Sequence, residues 1–202
     1  EPPEDYSFLE ESFFREGALP EGWGPLKHQY PIGDSAGKLS FKEGAKVELE
    51  VEKGEAIALF HSNSELDASK AESFKARVKD GNAIRVGNGT LYDDNFIQKL
   101  NNSHNGVQQF EGQGIKVAIN NADLAVSDES EGSLILVEPL QYQTELTFTG
   151  DKTTLQAAKK GWLLEVKEHS NVHYALTEGR MTGLVHKVES ADSYLTLDNA
   201  TW

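Results

Sequence analysis

The chain of 202 residues contains no cysteine and a single methionine. Without thiols there can be no disulfides, thiolate metal sites or cysteine nucleophiles. Proline is scarce beyond residue 31: Pro2, Pro3, Pro20, Pro25 and Pro31 make up five of the six, and Pro139 is the sixth. Long hydrophobic runs are missing as well. Stretches such as L-I-L-V at 134–137 fall far short of the ~20 apolar residues that span a bilayer as a helix. Basic residues are in deficit, with 19 Lys and Arg against 33 Asp and Glu, a formal net charge of −14. That balance argues against a nucleic-acid backbone or an anionic membrane as partner, since both repel it, and it is compatible with binding cations. No G-x-S-x-G elbow, phosphate loop or dinucleotide fingerprint occurs; Gly87-Asn88-Gly89 is a fragment of one and opens no helical pattern.

What is present is period-two alternation. Residues 46–52 read K-V-E-L-E-V-E, with Val47, Leu49 and Val51 on one face and Glu48, Glu50 and Glu52 on the other, a strand with one dry and one wet side. Residues 56–60 are apolar throughout, 74–78 alternate again, and Asp80-Gly81 is a hairpin signal before 83–86. Further candidates follow about every ten residues through 194–197, separated by turn-forming Gly, Asn, Asp and Ser. Residues 162–167 and 172–177, joined across 169–171, form a predicted tight hairpin. Helix has two candidate places, 64–73 behind a Ser64 cap and 95–100 behind Asp93 or Asp94. No internal repeat survives inspection by eye, which lowers, without excluding, a β-solenoid.

The expectation is therefore an all-β, mainly antiparallel fold, a jelly-roll-like β-sandwich with at most two or three short helices. It forms one domain over residues 1–202, with a Pro-rich irregular or docking segment at 1–31 and a conceivable sub-boundary near 139–150. The segment E-G-A-L-P-E-G-W at 16–23 resembles the opening of some bacterial extracellular jelly-roll modules, over eight residues with nothing further along the chain to extend the likeness.

Candidate site residues come from three chemistries. Aromatic rings stack on sugar C–H faces, which singles out Trp23, Tyr30, Tyr92, Trp162 and Tyr174 against the plainer reading of strand and core aromatics. Hard cations want several oxygens on a tight turn, which singles out Asp93, Asp94, Asp128, Glu129 and Glu131, with calcium the one cofactor suggested. The same residues also read as helix caps and a solvated acidic turn. His169-x-x-x-His173 beside Glu168 has the spacing of a helical zinc pair, but its flanks read as strand, so the helical argument fails. Paired carboxylates for glycoside hydrolysis are a matter of three-dimensional separation.

The leading functional expectation is a non-enzymatic extracytoplasmic protein that binds a glycan or an extracellular protein, or serves as a surface-structure subunit. The alternatives are a carbohydrate-active enzyme on a jelly-roll and a self-assembling filament or coat subunit. The opening Glu1-Pro2-Pro3-Glu4 without Met has the look of a processed or trimmed chain. Secreted animal domains usually carry disulfides. The expected location is thus secreted or cell-surface, from a microbial source.

Overall fold

The computed structural model describes residues 37–60, 64–87, 114–138, 143–168 and 170–202. Within them the chain forms strands and no helix. In order these are β1 (Lys38–Ser40), β2 (Lys46–Leu59), β3 (Glu65–Ala68), β4 (Ser73–Val86), β5 (Ile115–Asn120), β6 (Ala122–Val126) and β7 (Ile135–Val137). There follow β8 (Thr144–Thr149), β9 (Thr154–Gln156), β10 (Leu164–Val166), β11 (Asn171–Thr177), β12 (Arg180–Thr182), β13 (Val185–Lys187) and β14 (Asp192–Asp198). No helix among the described residues is long and apolar enough to cross a membrane.

Every strand pairing is parallel. One sheet has the order β1-β3-β5-β8-β11-β14, and the other has β12-β9-β6-β4-β7-β10-β13 with β2 beside β4. Neighbours in a sheet are never neighbours in sequence. The chain lays one strand in the first sheet, two stretches along the curled second sheet, and then returns to the first. It meets its own previous lap after roughly 21–31 residues, the period range of a solenoid, and after roughly 48–51 across the lap that contains residues 88–113. Residues 88–113 interrupt one lap, between Gly87 and Gly114. Parallel sheets are ordinarily built from strand–helix–strand units, as in α/β proteins. Here, among the described residues, the coil itself makes the crossover.

Alternation explains why these segments are strands and where the core lies. Leu39, Leu66, Val117, Leu146, Tyr174 and Leu195 stand in one register row of the first sheet. Leu49, Ala76, Leu124, Leu155 and Met181 form a second row, and Ile57, Ile84, Ile135, Leu164 and Val185 a third. These rows converge on one continuous core. Fully buried members such as Phe74, Phe148, Leu124 and Leu146 each contribute about 1.5–3 kcal/mol by leaving water. The residues that alternate with them along each strand face outward and are mostly polar.

A glycine column marks the bend of the second sheet. A β-carbon on Gly81 would overlap the Gly54 carbonyl, one on Gly132 the Gly81 carbonyl, and one on Gly161 the Gly132 carbonyl. Each of these glycines opens the same six-residue unit: G-E-A-I-A-L (54–59), G-N-A-I-R-V (81–86), G-S-L-I-L-V (132–137) and G-W-L-L-E-V (161–166). Close backbone approach at the bend accounts for the glycine, and the shared core row for the aliphatic residue three positions on.

The antiparallel sandwich or jelly-roll expected from the sequence is therefore corrected to two parallel sheets wound from coils. Alternation reports that one strand face is buried, and it carries no information on the direction of the neighbour. Asp80-Gly81 is not a hairpin, because the chain continues through it within β4. Residues 162–177 are not a hairpin either: β10 pairs β7 and β13, while β11 pairs β8 and β14. The helix expected over 64–73 is instead β3, a turn and the start of β4; that over 95–100 lies outside the described residues, as does the 1–31 segment. β7, which ends before residue 139, pairs with β10, which begins after residue 150.

Candidate functional site

The half of the second sheet that follows the glycine column carries an outward row of Ala58, Arg85, Leu136, Glu165 and His186, one from each successive coil. The strands place these side chains on one open face because each sits one position beyond a core aliphatic.

Two polar groups form on this face. Ser133, buried just after Gly132, donates its hydroxyl to Glu165 Oε2 at 2.8 Å, and its own backbone N–H donates to Asn82 Oδ1 at 2.8 Å. Lys167 Nζ lies 3.0 Å from Glu165 Oε1. Burial acts to raise the Glu165 carboxyl, but hydrogen bonds from Lys167 and Ser133, with the charges of Lys167 and His186, outweigh it and hold the group below its ordinary value. The hydrogen bond to Glu165 in turn raises Lys167, against the opposing effect of burial. Beside this pair the rings of Trp162 and His186 stack with centroids 4.9 Å apart and planes 19° from parallel. In the second group, Arg85 is ion-paired with Glu138 through Nε and lies 3.6 Å from Glu55 through Nη1. Its guanidinium carbon sits 5.5 Å over the Phe60 ring.

The other faces are laddered with charge. Lys38, Glu65, Lys116, Glu145, His173 and Tyr194 form an outward row on the first sheet. There Lys38 and Glu65 approach to 3.5 Å, and the His173 and Tyr194 rings to 4.5 Å. On the first half of the second sheet Arg77 grips both Asp123 carboxylate oxygens at 3.0 Å and the Asp123 carbonyl at 2.9 Å. A groove of about 450 Å³ runs past Glu50, Glu52, Arg77, Lys79 and Ser127. Lys79 lies 3.6 Å from Glu52, so the acids and bases beside this groove are largely paired with each other.

The structure brings one of the sequence-chosen aromatics, Trp162, to the open face. Tyr174 is instead a core residue, 8% exposed; burial raises its phenol, against a hydrogen bond with Ser193. Asp128 accepts from the Lys159 backbone N–H at 3.1 Å and lies 3.5 Å from Lys159 Nζ, while Glu129 and Glu131 face solvent. Among the described residues no group of three His, Asp or Glu side chains is placed to hold a metal ion. Trp23, Tyr30, Tyr92, Asp93, Asp94 and His169 lie outside the described residues. Sequence reasoning missed Ser133, Glu165, Lys167 and His186. For three of them the signal was their offset from Gly132 and Gly161, visible once the six-residue unit is aligned.

Chemically, this face offers flat ring surface next to fixed charges. Beside the rings, Glu165 and Lys167 form a fixed charge pair. The Ser133 hydroxyl is spent on a carboxylate. A scan of protein-family models, curated proteins and solved structures finds no match to this chain.

Proposed function

We propose that this chain is a non-enzymatic module of an extracytoplasmic surface structure, and that its open face beyond the glycine column binds an extended glycan. The observation that carries this reading is the stacked Trp162–His186 pair beside Glu165 and Lys167. Ring faces supply the apolar surface that sugar C–H groups seek, and the fixed carboxylate and ammonium supply hydrogen bonds to hydroxyls. Regular coil stacking repeats such positions along an axis, which suits a polymer better than a compact small molecule. A chain with no thiol to oxidise also suits an oxidising exterior.

Binding to a panel of neutral and charged polysaccharides, followed by isothermal calorimetry, tests the reading. At least one polymer should bind the native chain, and Trp162→Ala should weaken it about tenfold, the ~1.4 kcal/mol scale of one lost ring contact. Equal binding by native and W162A chains, or none at all, contradicts it.

A further inference from the structure

We propose that the glycan taken by the Trp162 face is an amine-bearing one, a polymer whose sugar units carry protonated amino groups. This deepens the glycan reading and rests on it. Two observations carry it: the ring pair and the balance of charge around that pair.

Carboxylates outnumber bases on this face. Lys167 Nζ lies 3.0 Å from Glu165 Oε1. That hydrogen bond, against burial, is reinforced by the charges of Glu165, Glu168 and Glu138 around the ammonium. Two coils back, Arg85 is held between Glu138 and Glu55. Among the described residues, four carboxylates thus share two bases here. The flanking bases are offset in turn. Lys187, after His186, donates to the Ala191 carbonyl, and Glu189 follows it. Lys160, just before Gly161, stands one coil beyond Glu131, the acid before Gly132. The local surplus adds to the net charge of −14 on the whole chain. Fixed negative charge of this kind repels a uronate or sulfated polymer and draws an ammonium.

The rings and the carboxylates stand side by side. Stacking on His186 covers one face of Trp162 and leaves the other, and Trp162 is only partly buried. A tryptophan face attracts cations as well as sugar C–H groups, more strongly than other aromatic rings do. Glu165 lies on the same coil, three residues on. Its oxygens each have a partner, Lys167 for Oε1 and Ser133 for Oε2. An ionised carboxylate has about four acceptor sites, so Glu165 can take a ligand N–H without releasing either. Against burial, the hydrogen bonds from Lys167 and Ser133 hold its carboxyl below the ordinary value. It therefore stays ionised at mildly acidic pH, where sugar amines are protonated. Glu168, exposed in the turn after Lys167, adds a second carboxylate within a ligand's reach. An N-acetylated sugar offers the rings the same C–H face with no charge, and so separates the two contributions.

Isothermal calorimetry with glucosamine and N-acetylglucosamine oligomers of equal length, at one mildly acidic pH, tests the proposal. The shared pH gives His186 the same charge in both titrations. The amine-bearing oligomer should bind about fivefold more tightly, the scale of one partly exposed ion pair. Added salt should shrink that ratio. Glu165→Gln and Glu168→Gln should each cut it to about twofold, and E168Q, at an exposed position, carries the test if E165Q unfolds. Trp162→Ala should weaken both oligomers. Equal affinity for the two, tighter binding of an oligogalacturonate, or a ratio that neither glutamine variant changes would overturn the proposal. So would polylysine binding as tightly as the amine-bearing oligomer, since the face would then read charge alone. If both oligomers bind equally and both need Trp162, the amine inference falls and the glycan reading stands. If no glycan binds the native chain, the glycan reading itself falls.

Discussion

Gly132→Ala separates a stacked coil from an isolated turn by the sign of its effect. Gly132 does not occupy the left-handed backbone region, so a β-carbon adds no local strain. On a surface turn with open space, Gly→Ala at such a position stabilises by about 0.4–1 kcal/mol, through the entropy of the unfolded chain. In the coil stack the same carbon would overlap the Gly81 carbonyl and lie 3.2 Å from Asn82 Oδ1. Backbone lies on the crowded side, so the coils themselves must part. Overpacking of this kind costs about 1–3 kcal/mol. Strain on the Asn82–Ser133 hydrogen bond adds a share of the ~1 kcal/mol such a bond contributes. The net expectation is a loss of about 2 kcal/mol, or about 4–8 °C in Tm for a chain of this size. Urea unfolding followed by far-ultraviolet circular dichroism measures it, with Gly161→Ala as the matching change one coil on. A variant at either position that is as stable as the native chain, or more so, would refute the reasoning.

Further outcomes follow from the packing and the charges. Leu124→Ala, fully buried in the second core row, should cost about 2–5 kcal/mol in the same urea assay. The Glu165 carboxyl titrates below its ordinary value of 4.5 in the folded chain. Its contribution is therefore fully present above pH 4.5 and lost as pH falls through the lower folded value. Glu165→Gln should accordingly flatten the acid limb of a Tm-against-pH profile, and an unchanged limb counts against that assignment. Lys167, raised above 10.5, contributes below that pH and loses its contribution as pH climbs through the folded value, so Lys167→Met should flatten the alkaline limb. A double-mutant cycle on Arg77 and Asp123, both about 40% exposed, should return a coupling of about 0.5–1 kcal/mol, and a value near zero would show the bidentate pair to be ornamental.

Strand positions were legible because alternation depends only on which side of a strand meets the core, as at Val47, Leu49 and Val51. Strand direction was not, because a lap of parallel coil and an antiparallel hairpin both require alternation followed by Gly, Asn or Asp. Gly81 illustrates the ambiguity: the residue type that closes a hairpin also permits one backbone to lie against the next. The six-residue unit at 54, 81, 132 and 161 does distinguish them, but residues 88–113 lengthen one interval, and the conserved positions of the unit are only a glycine and two aliphatics. Trp162 and Tyr174 carried the same two readings in the sequence, surface ring or core aromatic, because the way a strand aromatic faces depends on register, as that of Tyr174 with Leu146 and Leu195. Glu165, Lys167 and Ser133 look like ordinary polar residues until the coils bring them within hydrogen-bonding distance.

Parallel stacking of coils underlies every step above, and engineered disulfides test it directly in a chain that has no cysteine of its own. In the structure Glu145 faces His173 and Thr149 faces Thr177 across β8 and β11. Neighbouring strands lie about 4.8 Å apart, within disulfide reach, whereas a four-residue offset adds roughly 13 Å. Oxidation of the 145/173 and 149/177 double-cysteine variants, read by mass spectrometry of unreduced peptides, should give an intramolecular cross-link in both, and the 145/177 variant should give none. Cross-linking of 145/177 together with failure of 145/173 and 149/177 is the signature of antiparallel pairing and would contradict the account.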